Sequence, residues 1–138
     1  MNIGRIIAAL LTLLAIGGCS NYEQMLMQDQ FDKTTKEYNR MLRWDDLEAA
    51  GMNFADTSIR PDYLTRAEAA KGVKITEYRV KYTDYDPLRG EAKIKVEIDY
   101  YIPPSPVLKT LVDNQRWAYK GPESDKSWRL MSLLPEFK

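Results

Sequence analysis

The stretch that decides the fold runs from residue 92 to residue 102 and reads AKIKVEIDYYI. Its apolar side chains occupy every second position: Ala92, Ile94, Val96, Ile98, Tyr100 and Ile102. The intervening positions hold Lys93, Lys95, Glu97, Asp99 and Tyr101. Successive side chains of a β-strand point to opposite faces, so this alternation predicts a long, half-buried strand in an antiparallel sheet.

Three further segments predict strands on either side of it. Residues 76–82, TEYRVKY, alternate in the same way and are joined to the first stretch by the turn residues 86–90, DPLRG. The prolines of residues 103–106 reverse the chain into a strand over 107–119, and a polar turn leads to the last strand over 128–134. Four strands joined by hairpins predict an antiparallel meander.

The strand over 107–119 is unusual because neither of its faces is purely apolar. One face carries Asp113, Gln115 and Trp117 together with Leu111 and Tyr119. If that face lines a hollow, it suits a small-molecule pocket, which is mostly apolar with a few placed polar groups. The candidate pocket residues are Tyr78, Tyr100, Asp113, Gln115 and Trp117. The alternative is that the aromatic residues are ordinary core and Asp113 pairs with an arginine.

Three helices are predicted before the first strand. An apolar stripe at helical spacing begins at Met27 and continues through Phe31, Tyr38 and Leu42. Asp45 and Glu48 have the spacing of a capping box for a short second helix. Pro61 is suited to the first turn of a third helix, which ends before Gly72. Helices followed by a meander predict one α+β domain over residues 29–138, with the helices packed on a curved four-stranded antiparallel sheet.

Residues 1–18 have the layout of a cleaved secretory signal. A short segment with Arg5 precedes the apolar block 6–16, which is too short for the roughly 20 residues of a membrane-spanning helix. Residues 16–19, Ile-Gly-Gly-Cys, resemble the lipobox of bacterial lipoproteins. The resemblance implies cleavage before Cys19, the only cysteine in the chain.

In proteins of that class, the cysteine carries a thioether-linked diacylglycerol and an acylated amine. Several acyl chains together hold a protein on a bilayer. Ser20, in the second position after cleavage, resembles the Gram-negative signal for the outer membrane. We therefore expect an outer-membrane lipoprotein facing the periplasm, anchored at Cys19 through a tether over residues 19–28.

Composition argues against several other functions. The chain has 20 Lys+Arg and 20 Asp+Glu, and loss of Arg5 leaves 19 against 20, a balance of −1. This disfavours nucleic-acid binding. The chain has no histidine and no second cysteine, which disfavours nucleophilic triads and zinc sites of the usual kind. We expect no enzyme activity, no metal and no cofactor.

Two less favoured sites use carboxylates. Asp113 with Tyr100 could supply a base and an oxyanion donor if burial raised the pKa of the carboxyl group. Asp84, Asp86 and Glu91 could attract calcium, but their spacing does not match an EF-hand. A solvated hairpin turn explains these three residues better.

The order of elements resembles the nuclear-transport-factor-two-like, or SnoaL-like, cone superfamily and its small bacterial lipoproteins. The resemblance covers residues 29–137 and rests on residues 38–44, YNRMLRW, and residues 113–117, DNQRW, besides the element order. It implies a cone with a hollow interior. A cystatin-like arrangement of a helix on a sheet and an unrelated α+β roll are the alternatives.

Two functions remain from the sequence. The first is a non-catalytic module that binds an envelope protein or assists envelope assembly, through a helix surface or the sheet face of Lys93, Lys95, Glu97, Asp99 and Tyr101. The second is a domain that holds a small apolar or amphipathic molecule near Tyr78, Tyr100 and Trp117. A large exposed apolar patch would favour the first, and an open polar-lined cavity the second.

Overall fold

A computed structural model describes the backbone of residues 3–138 and the side chains from residue 18 onward. Its helices are α1 (Ile3–Arg43), α2 (Leu47–Phe54) and α3 (Arg60–Ala69). Its strands are β1 (Lys74–Asp86), β2 (Glu91–Tyr101), β3 (Lys109–Lys120) and β4 (Ser127–Leu130). The prediction of an α+β domain, with helices packed on a four-stranded antiparallel sheet, is confirmed.

The strands lie in the sheet in chain order, each paired with the next. Val96 of β2 lies between Val80 of β1 and Asp113 of β3. The alternation read from the sequence holds along β2, where Ala92, Ile94, Val96, Ile98 and Tyr100 are buried. The side chains between them point to the other face of the sheet, which no helix covers among the described residues.

β1 forms one edge of the sheet and pairs irregularly with β2. Register shifts lie between Ile75 and Glu77 and between Val80 and Tyr82, so Thr76 and Lys81 have no direct partner on β2. The second shift moves Tyr82 opposite Lys95, on the uncovered face. An inserted residue bends a strand and increases its twist.

One face of α1 packs against the sheet because its apolar residues recur at helical spacing. Phe31, Tyr38 and Leu42 are buried there. The ring of Phe31 lies edge-on to Trp128 of β4 at a centroid distance of 4.9 Å. Trp128 Nε1 also donates a hydrogen bond of 3.0 Å to the backbone oxygen of Met27. These contacts dock the helix at the end of the sheet where β4 lies.

α1 begins well before the predicted start at Met27 and runs over Ile3–Arg43. The tether predicted over residues 19–28 is therefore helical and continuous with the domain. The signal-peptide prediction concerns residues 1–18, and the side chains of residues 1–17 lie outside the described residues. Within the described part of the chain, no helix is both long and apolar enough to cross a membrane.

The capping box predicted at Asp45 and Glu48 does not form. α2 begins at Leu47, and Asp46 occupies the N-cap position without a side-chain hydrogen bond to the helix. Asp45 instead has a positive φ of 65° and pairs with Lys74 Nζ at 2.8 Å. A long-range ion pair has replaced the local cap that the spacing predicted.

α2 and α3 approach closely at Gly51, which leads to a prediction. A Cβ atom on Gly51 would lie 2.6 Å from Cε1 of Tyr63. The Tyr63 ring is fully buried, so it cannot move aside easily. We expect Gly51→Ala to lower the free energy of unfolding by about 1–2 kcal/mol, because overpacking outweighs the better helix propensity of alanine. Urea unfolding followed by circular dichroism measures the difference.

The matched control is Met52→Ala, at an exposed position of the same helix. Its effect should stay within about 0.5 kcal/mol, as for most surface substitutions. A Gly51→Ala protein as stable as wild type would contradict the close packing of α2 on α3.

Candidate functional site

The polar face of β3 lies directly beneath α1. Asp113, Gln115 and Trp117 alternate along the strand, and all three are buried. Their partners on β2 are Val96, Ile94 and Ala92. The structure therefore brings three of the five candidate pocket residues together in one line.

A hydrogen-bond network joins these side chains to Asn39 of α1. Gln115 Nε2 donates to Asn39 Oδ1 at 2.8 Å and to Asp113 Oδ2 at 2.9 Å. Gln115 Oε1 accepts from Trp117 Nε1 at 3.3 Å. Asn39 Nδ2 donates to the backbone oxygen of Thr35, at 2.8 Å. The donor that reaches Asp113 is thus an amide rather than an arginine.

Aromatic rings fill the space beside this network. Tyr38 packs edge-on against Trp117 at a centroid distance of 5.4 Å. The hydroxyl groups of Tyr38 and Tyr63 are 3.0 Å apart and share a hydrogen bond. Both tyrosines are fully buried, and burial is the main cause that raises their phenol pKa values. Packed side chains occupy the interior between α1, α3 and β3.

Asp113 is a buried acid in this interior. Burial raises the pKa of its carboxyl group from 3.8 to about 6, although the hydrogen bond from Gln115 acts in the opposite direction. Asp113 is only 3% exposed, and burial in a medium of low dielectric disfavours the charged form of a carboxyl group. Asp113 therefore titrates close to neutral pH.

This shift predicts a pH-dependent stability. The folded protein keeps the Asp113 proton between about pH 4 and pH 6, where the unfolded chain has lost it, so stability falls as the pH rises through this window. The loss should approach about 3 kcal/mol above pH 6. Asp113→Asn keeps the shape without the charge, so it should be more stable than wild type at pH 7.5 and similar at pH 4. Urea unfolding over this pH range tests both.

The control is Asp99→Asn on the uncovered sheet face. Hydrogen bonds from Arg79 and Thr110 lower the pKa of Asp99 to about 2. Asp99 therefore adds stability above pH 4 and loses it as the pH falls toward 2, which is the opposite sign. If the stability difference between Asp113→Asn and wild type were the same at pH 4 and pH 7.5, the buried acid would not be titrating as described.

Tyr78 lies apart from the buried network, in a surface groove between α1 and β1. The groove has a volume of about 240 Å³. Its walls are formed by Phe31, Asp32, Thr35, Lys36, Asn39, Tyr78, Val80, Thr83 and Ile94. Asn39 lines this groove and also bonds to Gln115, so it connects the groove to the interior.

Tyr100 lies at the other end of β2 from these groups. Its hydroxyl donates to the backbone oxygen of Lys138 at 3.0 Å, and its ring packs edge-on against Phe137. Tyr100 is four positions along the strand from Val96, the partner of Asp113, which corresponds to about 13 Å. The structure does not bring Tyr100 and Asp113 together as an acid–base pair.

The uncovered sheet face carries a cluster of charges around Arg79. Its guanidinium group bonds Asp99 Oδ2 at 2.7 Å and Glu97 Oε2 at 3.3 Å. Lys93 and Lys95 on the same face are exposed. Tyr82 and Val112 are the large apolar side chains exposed among these charges in the described chain.

The acidic hairpin between β1 and β2 is a turn. Asp86 Oδ1 accepts hydrogen bonds from the backbone nitrogens of Leu88 and Arg89, both at 3.1 Å. Asp84 and Asp86 do border a shallow depression with Glu91. Among the residues that the structure describes, no group of three such side chains is placed to hold a metal ion.

The sequence reasoning missed Asn39 and Tyr63 as partners of the candidate pocket. Asn39 occupies a buried position on the apolar stripe of α1. A buried polar side chain needs a hydrogen-bond partner, and this could have indicated its role. Tyr63 lies in a helix whose register against the sheet no local pattern determines. Its pairing with Tyr38 joins residues 25 positions apart.

No protein-family model matches the chain, and no curated protein matches it.

Proposed function

We propose that the protein is an outer-membrane lipoprotein, facing the periplasm, whose domain is a non-catalytic module for binding an envelope protein or assisting envelope assembly. The anchor would be Cys19, which is exposed on α1 twelve residues ahead of Phe31, the first buried side chain among the described residues. The resemblance to the cone superfamily remains part of this proposal. In an enzyme of that superfamily, the catalytic groups would lie in the interior of the cone.

The observation that carries the non-catalytic proposal is the packed interior. The side-chain amide of Gln115 bonds to both Asp113 and Asn39, and the rings of Tyr38 and Trp117 pack against each other beside it. A substrate would have to displace this packing to reach the carboxyl group. The candidate oxyanion donor Tyr100 bonds to the backbone of Lys138 instead.

The uncovered sheet face is the surface that we assign to the partner. It presents exposed lysines on β2 beside the Arg79 cluster, and no helix of the described chain covers it. Charge complementarity at such a surface contributes more to the choice of partner and the rate of association than to affinity. The partner would therefore present acidic groups to Lys93 and Lys95.

Crosslinking of the full-length protein in native membranes tests this assignment. Wild type should capture a reproducible partner, and the double variant Lys93→Glu/Lys95→Glu should capture it about tenfold less, equivalent to about 1.4 kcal/mol. The matched control is Lys71→Glu, which changes an exposed lysine beyond the end of α3. Equal capture by all three proteins would exclude the sheet face as the binding surface.

The groove at Tyr78 supports a second candidate function, the binding of a small amphipathic molecule. It joins apolar walls from Phe31, Val80 and Ile94 to the polar groups of Thr35 and Asn39. A molecule that co-purifies with wild type and is lost from Val80→Arg, detected by mass spectrometry of the detergent extract, would favour this function. Its absence from wild type would count against it.

A further inference from the structure

One face of α1 ahead of the domain is apolar and exposed. Tyr22 and Met25 are each 58% exposed and Leu26 is 44% exposed. Tyr22 precedes Met25 by three residues and Leu26 by four, which places the three side chains side by side on one helix face. Among the described residues, none of the three belongs to the hydrophobic core or to the partly buried side chains packed against it.

This face points away from the domain. Tyr22 precedes Phe31 by nine residues, which is about two and a half turns of helix. Because Phe31 points into the core, Tyr22 points to the opposite side. Cys19 precedes Tyr22 by three residues and Leu26 by seven, so it lies on the same outward face. The candidate lipid attachment and the exposed apolar side chains therefore share one direction.

Farther along α1, the same outward face becomes basic. Arg40 follows Tyr22 by five full turns, and Lys33 and Lys36 lie within about 40° of it. Asp29 and Glu37 lie beside them and pair with Lys33 and Arg40. Three cations against two anions leave a small positive excess, which suits a surface of anionic phosphates.

We propose that this outward face of α1 lies on the bilayer, with Tyr22, Met25 and Leu26 inserted at the level of the headgroups and upper acyl chains. The occupant is a lipid surface because the apolar residues adjoin the site of acylation and the cations follow at headgroup height. The proposal rests on the proposed lipid anchor at Cys19. It adds an orientation, since α1 would lie along the membrane and the uncovered sheet face would point into the periplasm.

Site-directed spin labelling of the full-length lipidated protein tests this orientation. Acylation uses the only native thiol, so a cysteine introduced by Tyr22→Cys or Leu26→Cys becomes the only labelling position. Gln24→Cys is the matched control, because residue 24 is exposed, lies between the two and points about 200° away from Tyr22. The protein is reconstituted in phosphatidylethanolamine/phosphatidylglycerol vesicles, and nitroxide collision with oxygen and with a water-soluble nickel chelate is measured.

We expect nickel accessibility at positions 22 and 26 to be at least about threefold lower than at position 24, and oxygen accessibility to be higher. Equal water accessibility at all three positions would overturn the membrane contact. Labelling of wild type, which has no introduced cysteine, would instead show that Cys19 is not acylated. The two failures are therefore distinguishable.

Discussion

Replacing Cys19 with alanine is expected to abolish fatty-acid labelling of the protein completely. The chain has no other cysteine, so no second thioether can form in its place. Cells grown with an alkyne fatty acid should yield labelled wild type and unlabelled variant. The intact mass of wild type should correspond to a chain that begins at Cys19 with acyl groups attached. Because the lipobox resemblance also implies cleavage at this residue, the intact mass of the variant should include residues 1–18.

A control variant distinguishes acylation directed by the lipobox from acylation of any exposed thiol. In the double variant Cys19→Ala/Ser20→Cys, the thiol moves by one residue along the same exposed segment of α1. We expect no fatty-acid label on this protein either, because the lipobox resemblance depends on cysteine directly after Gly18. A wild-type protein with an unmodified Cys19 thiol would refute the anchor.

Trp117→Ala should cause the largest loss of stability of any single substitution considered. The indole is 2% exposed, packs against the ring of Tyr38 and donates its Nε1 hydrogen to Gln115. Removing it leaves a cavity and deprives the Gln115 oxygen of a donor, so we expect a loss of about 3–5 kcal/mol. Since a domain of this size is stable by only about 5–15 kcal/mol, the melting temperature should fall by about 10–30 °C.

Trp44→Ala provides the matched comparison because it removes the same side chain from the surface. Trp44 is 66% exposed, and the guanidinium carbon of Arg43 lies 5.2 Å from the centroid of its ring. Its loss should cost no more than about 1 kcal/mol, the size of an exposed cation–π interaction. If the two variants melted at the same temperature, the packed interior described for β3 would be wrong.

The strands could be predicted from the sequence because their information is local. Alternation with a period of two places Ile94 and Val96 on one face whatever their partners are, and the structure confirms it. The third helix was also recognisable, since Pro61 lies within its first turn and Gly72 follows its end with a positive φ. Such signals need no knowledge of the rest of the chain.

Features that depend on distant partners could not be predicted in this way. The spacing of Asp45 and Glu48 favoured a cap, but Lys74 competes for Asp45 from 29 residues away. α1 continues through the predicted tether, although residues 20–30 carry few apolar side chains that contact the domain. Tertiary packing therefore contributes little to the helix over these residues.

The candidate site was recognisable in its parts but not in its arrangement. The sequence correctly placed Asp113, Gln115 and Trp117 on one face of β3, because residues two apart in a strand share a face. The pattern could not show that Asn39 of α1 accepts a hydrogen bond from the amide of Gln115, since that bond joins residues 76 positions apart. A pocket and a filled core have the same pattern in one strand and differ only in what the opposing helix contributes.

The irregular edge strand β1 should limit strand pairing between neighbouring molecules on a crowded membrane. Molecules held on one bilayer by the proposed anchor share a thin layer and an orientation, so their sheet edges meet far more often than they would in free solution. A straight, regular edge 13 residues long would then template strand pairing from one molecule to the next. The two register shifts and the charges of Arg79 and Lys81 interrupt that template. We therefore expect β1 to resist strand pairing between neighbouring molecules.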